Sequence, residues 1–300
     1  MSTAAVTVGE REIDLPQLEK SLRSPRSLFS YGMSALVAFM TLLAVVPLVS
    51  VLTMLTIRGG RRLGAALFTE LPPAAGMSGG GIANAILGTA VVVAIAALIS
   101  VPVGVLGAVF LAEFRPQSKT ASVVRFAAKI LTGLPSILAG TFAYVSVVLL
   151  MGKFSPLAGG VALALLMLPT ILLTAEEAIR MVPARMREAA IGMGATPTQV
   201  VLRVVLPTAR PGILTGVMLA VARAAGETAP LLFTMLFSDY WLSHRFFEPT
   251  ASLAVLIYDF SSSPFPNQIE IAWAASLVLV VIVLALNLLG QYIGGRAAKG

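Results

Sequence analysis

The chain has 300 residues, 57% of them hydrophobic and only 12% charged, where a soluble domain carries about 25% charged residues. That deficit excludes an ordinary soluble surface, and the net charge of +7 does not point to nucleic acid, because the basic residues fall in short stretches between apolar runs. The absence of cysteine excludes disulfides and thiolate-bound metals, and the single histidine, His244, argues against a His-rich metal site and has no role assigned to it.

In chain order, residues 1–27 read as a polar N-terminal segment of mixed charge. The apolar run that follows is too long for the core of a cleavable signal, so no signal peptide is expected. A helix needs about 20 apolar residues to cross a bilayer, and stretches free of charge locate six such helices. They are predicted at about 28–57, 82–111, 130–152, 154–178, 208–238 and 271–294. Pro72 to Gly81 is rich in proline and glycine and reads as a loop before the second span. From residue 211 to 238 the fifth span is interrupted only by Arg223 and Glu227, with Pro230 expected to kink it. Between 239 and 270, an apolar stretch from Leu253 to Phe260 and the aromatics Tyr240, Trp241 and Tyr258 suit either an interfacial belt or the docking of an external protein. Residues 28–300 are thus expected to form one transmembrane domain without an internal repeat.

Lys and Arg set the expected sidedness. With both termini in the cytoplasm, fifteen fall inside and five outside, and Arg223 lies in the membrane. Arg58, Arg61 and Arg62 go against this trend. No GxxxxGK[ST] run occurs, so energy from ATP must enter through another polypeptide.

The loop 180–207 carries the sharpest pattern. Proline at 183 and glycine at 194 bracket a short helix, and Thr196-Pro197 restarts a second one as N-cap and first turn. Val200, Val201, Val204 and Val205 stripe that second helix, and Pro207 is expected to close it before the fifth span. Glu188 and the nearby arginines are placed to make charged contacts with a soluble partner. Glu188, Ala189, Ala190, Gly194, Leu206 and Pro207 fall at the spacing of the EAA loop, which this segment resembles. That loop belongs to importer permeases of the ATP-binding-cassette (ABC) superfamily. Val204 stands where the family usually has isoleucine. The resemblance implies a coupling helix seated in a groove of an ATPase subunit. The alternative is an amphipathic loop helix resting on the membrane surface.

In the fifth span, Arg223 and Glu227 are four residues apart and can pair on one helix face. A charge at mid-membrane costs about 2.5–3.5 kcal/mol, so the pair should face protein or a watery path. Gly212, Gly216 and Ala220 are read as continuing the same face, which would make the charged face the packed one. Two readings stand together: an ion pair that locks helices, and an arginine whose paired donors suit a tetrahedral oxyanion. Thr132, Ser136 and Thr228 are candidate hydroxyl donors on the same path, against the commoner role of bonding a helix carbonyl. Arg180, at the cytoplasmic end of the fourth span, reads as an interfacial arginine balanced by Glu176 and Glu177.

Residues 222–230 read Ala-Arg-Ala-Ala-Gly-Glu-Thr-Ala-Pro, with Asn84-x4-Thr89 in the second span and Leu131-Thr-Gly-Leu-Pro-Ser136 in the third. Together these resemble the phosphate-specific permeases of that superfamily, over about residues 80–295. The resemblance implies an all-α, type I (MetI-like) permease bundle in the bacterial inner membrane. It further implies a homologous sister permease, a homodimeric ATPase that binds ATP and Mg, and a periplasmic phosphate-binding protein. This chain would itself hold no cofactor and no metal, perform no catalysis, and have membrane lipid as its surroundings. A permease for molybdate or sulfate, a passive anion channel and an intramembrane enzyme using Glu227 are the competing classes. The loop at 180–207 speaks against the channel, and the lack of further intramembrane carboxylates or histidines against the enzyme.

Overall fold

The computed structural model describes residues 25–241 and 248–297. Most of the polar segment expected at 1–27 lies outside them, as do His244, Arg245 and Lys299. Among the described residues all regular structure is helical, with no strand. Five helices are long and apolar enough to cross a membrane, and a bent pair makes a sixth if taken as one span.

By internal contacts the chain divides into Met1–Met54 and Leu55–Gly300. The first unit holds most of α1 (Pro25–Gly60), an apolar helix with Pro47 in its interior. Side chains such as Phe29, Val37 and Leu42 are exposed on it, as suits a helix surrounded by lipid.

The second unit is a helical bundle. After α2 (Ala65–Thr69), α3 (Ala83–Val109) runs on through a π turn, Phe110–Phe114. It packs parallel to α7 (Pro156–Arg180), Ile95 meeting Gly160 and Gly104 meeting Ile171. Antiparallel to α7 lies α10 (Leu206–Ala225), with Gly216 against Thr174. Along α10 in turn runs α13 (Pro266–Ala297), with Gly290 against Met218. Small residues at these crossings let backbones approach closely, which matters because lipid removes most of the hydrophobic drive between helices. The core is layered along the bundle. Leu67, Ile82, Leu253, Leu256 and Ile271 fill one end, Val92, Leu163, Met167 and Leu231 the middle, and Leu111, Ile179, Val182, Val200 and Val205 the other end.

Three expectations need correction. The third span does not run unbroken over 130–152. It is α4 (Lys119–Thr132), then α5 (Ser136–Ala143) continuing through a π turn (Tyr144–Val148) into α6 (Leu149–Met151), and the two parts meet at 105°. Pro135 has no N–H to offer and forces the residue before it out of the helical region, so Gly133 caps α4 and a new helix starts at Ser136. The fifth span also breaks. α10 ends at Ala225, residues 227–228 are not helical, and α11 (Ala229–Thr234) begins afresh with Pro230 in its first turn, where a missing N–H costs nothing. Pro230 therefore starts a helix instead of kinking one. Pro207, conversely, closes nothing. α9 (Pro197–Val200) passes through a π turn (Val201–Val205) straight into α10, and the Leu206 N–H donates to the Val201 carbonyl. The widened turn opens the ladder where proline cannot donate.

Most of the apolar stretch 253–260 is buried, while Tyr240, Trp241 and Tyr258 are exposed. The stretch forms α12 (Leu253–Ser261), whose Leu253, Val255, Leu256 and Phe260 enter the core. Its first N–H, on Leu253, donates to the Thr89 hydroxyl at 2.8 Å. Asn84 Nδ2, one turn earlier on α3, donates to the carbonyls of Ser238 (2.8 Å) and Tyr240 (3.1 Å). Replacing Thr89 by Val keeps the shape and orphans the buried Leu253 donor. The expected loss is about 1–3 kcal/mol, seen as a lower unfolding temperature of the purified membrane protein; an unchanged temperature would show that α12 does not rely on this bond.

Candidate coupling loop and helix break

The segment after α7 folds as its residue types require. α8 (Ala184–Gly192) starts after Pro183, and Gly194 turns the chain at φ +86°. Glycine reaches that left-handed region without a Cβ penalty. Thr196 then caps α9 with a capping box completed by Gln199. Of the valine stripe, Val200, Val201 and Val205 are buried and Val204 packs against them. Ala190 is buried, while Glu188, Ala189, Gly194 and Pro207 are exposed and Leu206 is half-buried. Beside Glu188 the loop presents Met186, Ile191 and Met193, the last 83% exposed. Flexible thioethers around a charge suit an adaptable protein contact better than bulk water.

Arg187 departs from the expectation that the loop's arginines face a partner. It turns inward, reaching Glu113 Oε1 at 2.7 Å and donating to the Ile179 carbonyl at 2.9 Å and to that of Val182. It therefore ties α8 to the π turn at the end of α3 and to carbonyls at and just after the C-terminus of α7. A second cluster ties α4 to α7 and to the π turn after α3. Buried Glu176 accepts from Arg125 at 2.6 Å and from Arg180 at 2.8 Å, and Arg125 also donates to the carbonyls of Leu111 and Pro116. Of the two glutamates read as balancing Arg180, Glu176 is the one paired with it. Neither Arg187–Glu113, 74 residues apart, nor Arg125–Glu176, 51 residues apart, had any local signal in the sequence.

At the break after α10, Arg223 Nε lies 3.5 Å from Glu227 Oε1, so the expected pair is present. It is a long contact, and the Arg223 side chain is 54% exposed against 17% for Glu227. The packed face of α10 runs through Gly216, Ala220 and Ala224, and Arg223 lies off it. The reading that made the charged face the packed one is corrected here. Rows of residues four apart drift around a helix with a period of 3.6, which carries the row to 224 and away from 223.

Ser136 is the first residue of α5, one turn before Gly140, whose close neighbour is the Pro230 backbone. The α5 face carrying Ser136 therefore packs toward the start of α11. Thr228 is the N-cap residue of α11 and makes no side-chain capping bond. Thr132 is on the other side of the α4–α5 bend and donates to the Ala128 carbonyl at 2.9 Å, the ordinary role of a helix threonine. Near the opposite end of the bundle from the loop, burial raises the carboxyl pKa of Asp239, and burial followed by the charge of Asp239 raises that of Asp259.

The layered bundle resembles the inward-facing MetNI methionine ABC transporter (TM-score 0.57, 22% identity, covering 72% of this chain and 94% of that one), a likeness of fold alone. Residues 100–299 match the family described as the binding-protein-dependent transport system inner membrane component, and the chain belongs to that family of multi-pass importer permeases. Membership implies an ATPase and a substrate-binding protein as partners. Its relatives there are PstA permeases. It is 43% identical over 228 residues to the phosphate transport system permease protein PstA of Yersinia pestis, covering 76% of this chain and 77% of that protein. It is 37% identical over 253 residues to the probable PstA of Methanocaldococcus jannaschii, covering 84% and 88%.

The Arg187 brace makes a mechanical prediction. Arg187→Gln removes donors from Glu113 and two carbonyls, so α8 should open locally with amide exchange at least about ten-fold faster. Arg187→Lys, which keeps a charged donor, should retain more of the protection than Arg187→Gln, as measured by hydrogen–deuterium exchange over 184–192. Unchanged exchange in Arg187→Gln would show that α8 is held by its apolar contacts alone.

Proposed function

We propose that this chain is the membrane-spanning permease subunit of an ATP-driven importer of inorganic phosphate. The observation that carries the reading is the half-exposed Arg223, loosely held by Glu227 where α10 breaks off. A guanidinium offers paired donors to a tetrahedral oxyanion. At a helix break inside a membrane it costs less than on an intact lipid-facing span, because irregular backbone there must already adjoin protein or water. Glu227 limits the cost of the bare charge when no anion is present. Ser136 and Thr228 are hydroxyl donors near the break; Thr132 contributes only if it gives up its bond to Ala128. The phosphate named for the PstA relatives supports this cargo over sulfate or molybdate.

Coupling is assigned to the loop: Glu188, Ala189, Gly194 and Pro207 face a groove of a PstB-like ATPase dimer, which binds the ATP and Mg, while buried Ala190 and half-buried Leu206 seat the loop on the bundle. A PstC-like sister permease pairs with this chain, and a PstS-like binding protein delivers phosphate from the periplasm. Both termini and the loop then lie in the cytoplasm, and the permease domain takes in residues 28–300. ATP-driven closure of the ATPases moves α8, and the brace through Arg187 passes that motion to the ends of α3 and α7. The bundle opens outward, phosphate passes Arg223, and ATPase reset releases it inward. The chain performs no covalent chemistry.

Arg223→Gln should leave the complex assembled and lower phosphate uptake by about two orders of magnitude, the worth of a charge-assisted bidentate contact; normal uptake would remove Arg223 from the path. Gly194→Val forces a β-branched residue to φ +86°, at a cost of about 1–2 kcal/mol. Weaker ATPase association, or hydrolysis without uptake, is the expected result. Full coupling in that variant and in Glu188→Ala would speak against the loop's assignment.

A further inference from the structure

The three arginines that defy the expected charge bias are gathered in one place. Gly59 sits so close to α13 that a Cβ there would lie 2.6 Å from the Trp273 carbonyl oxygen. This contact pins the last turn of α1 and the residues after it. Arg58, Arg61 and Arg62 line a cleft of about 490 Å³ together with Glu270 and Trp273. Each arginine is held differently. The Arg58 guanidinium stacks 5.1 Å from the Trp273 ring centroid. Arg62 is fixed by donating to Asn267 Oδ1 and the Gly79 carbonyl, both at 2.8 Å. Arg61 is exposed. Among the described residues, none of the three pairs with a carboxylate, Glu270 included. Three positive groups thus surround one negative group, and two of the three have their planes oriented by the protein.

The cleft is at the end of the bundle opposite the coupling loop. α13 runs antiparallel to α10 with its late residues, Gly290 and Gly294, beside Met218 and Thr215, so its first turns are remote from α9. Uncompensated positive charge on the outward side works against membrane insertion in the expected orientation. The cluster also gains little from the protein itself, since a cation over tryptophan is only weakly attracted at an exposed site. A cluster with those costs and an open cleft fits an anion supplied from outside the chain.

We infer that this cleft binds a phosphate group. Arginine forks match phosphate oxygens in pairs. Two sources present that chemistry here: the phosphodiester of an anionic lipid headgroup, at the depth where interfacial tryptophan and arginine lie, and free inorganic phosphate. The inference does not require the cargo to be phosphate, and the cleft is separate from the break at Arg223.

The test uses the assembled transporter, without binding protein, in an Arg223→Gln background so that the helix break does not contribute. One arm titrates dihexanoyl phosphatidylglycerol, with dihexanoyl phosphatidylcholine as the zwitterionic control, and follows retention by native mass spectrometry. The other titrates inorganic phosphate by calorimetry. Arg58, Arg61 and Arg62 are changed to Gln together; Arg61→Gln is also made alone, because no bond of Arg61 to the protein is lost and the fold should survive. Phosphatidylglycerol binding weakened about ten-fold or more by these changes, and preferred over phosphatidylcholine, establishes the site and names the lipid. An equal loss in the phosphate arm instead names the free ion. Binding of both probes that is undetectable, or identical in the variants and their parent, overturns the inference.

Discussion

A backbone inside a membrane has no water to bond, so every N–H and C=O must find a partner within the protein. That constraint organises this chain. Its prolines and glycines interrupt helices that would otherwise cross unbroken, and each interruption has a visible remedy. The π turn at Val201–Val205 widens the ladder ahead of Pro207. Asn84 takes up the carbonyls of Ser238 and Tyr240 after α11, and the Thr89 hydroxyl receives the first N–H of α12. Ser238, Tyr240 and the start of α12 are thereby held against α3 by buried side chains. The break at 226–228 comes directly after Arg223, whose side chain is half-exposed there.

At the loop end, polar groups do a different job. Lipid gives apolar helices little reason to hold one particular arrangement, whereas a charge in a fixed fork of acceptors is directional. Arg187 and Arg125 each reach a carboxylate and the carbonyls of neighbouring helix ends. α8 is consequently attached to the bundle on its inner side through Arg187 and Ala190. Its outer side, with Glu188, Met186, Ile191 and Met193, is exposed. A helix gripped on one side and exposed on the other can pass a displacement from a soluble partner into the ends of α3 and α7, which the proposed coupling requires.

Much of this was legible in the sequence because the signals were local. Absence of charge located α1, α3, α7 and α13, with ends a few residues from those expected. Residue chemistry located the loop: Gly194 at positive φ, Thr196 as a cap and the buried valines are all as their types demand. What escaped was of two kinds. Pro135 and Gly226 were hidden in runs apolar enough to look continuous, because hydropathy reports burial and not whether a ladder closes. Arg187 with Glu113 and Arg125 with Glu176 depend on tertiary approach that no spacing announces. The candidate site was half-read: the Arg223–Glu227 pair followed from a four-residue step, but its face did not, since a four-residue row drifts by about 40° per step and Arg223 is turned by about 100° from Ala224.

The central claim is that this chain conducts phosphate only when ATP is hydrolysed by a partner. The direct measurement is uptake of radiolabelled phosphate into vesicles holding the chain with its neighbouring permease and ATPase, with binding protein outside and sulfate or molybdate as competitors. Saturable, ATP-dependent uptake that resists both competitors is the predicted result. An assembled complex that imports no oxyanion with ATP, or that passes phosphate equally without it, would contradict the account.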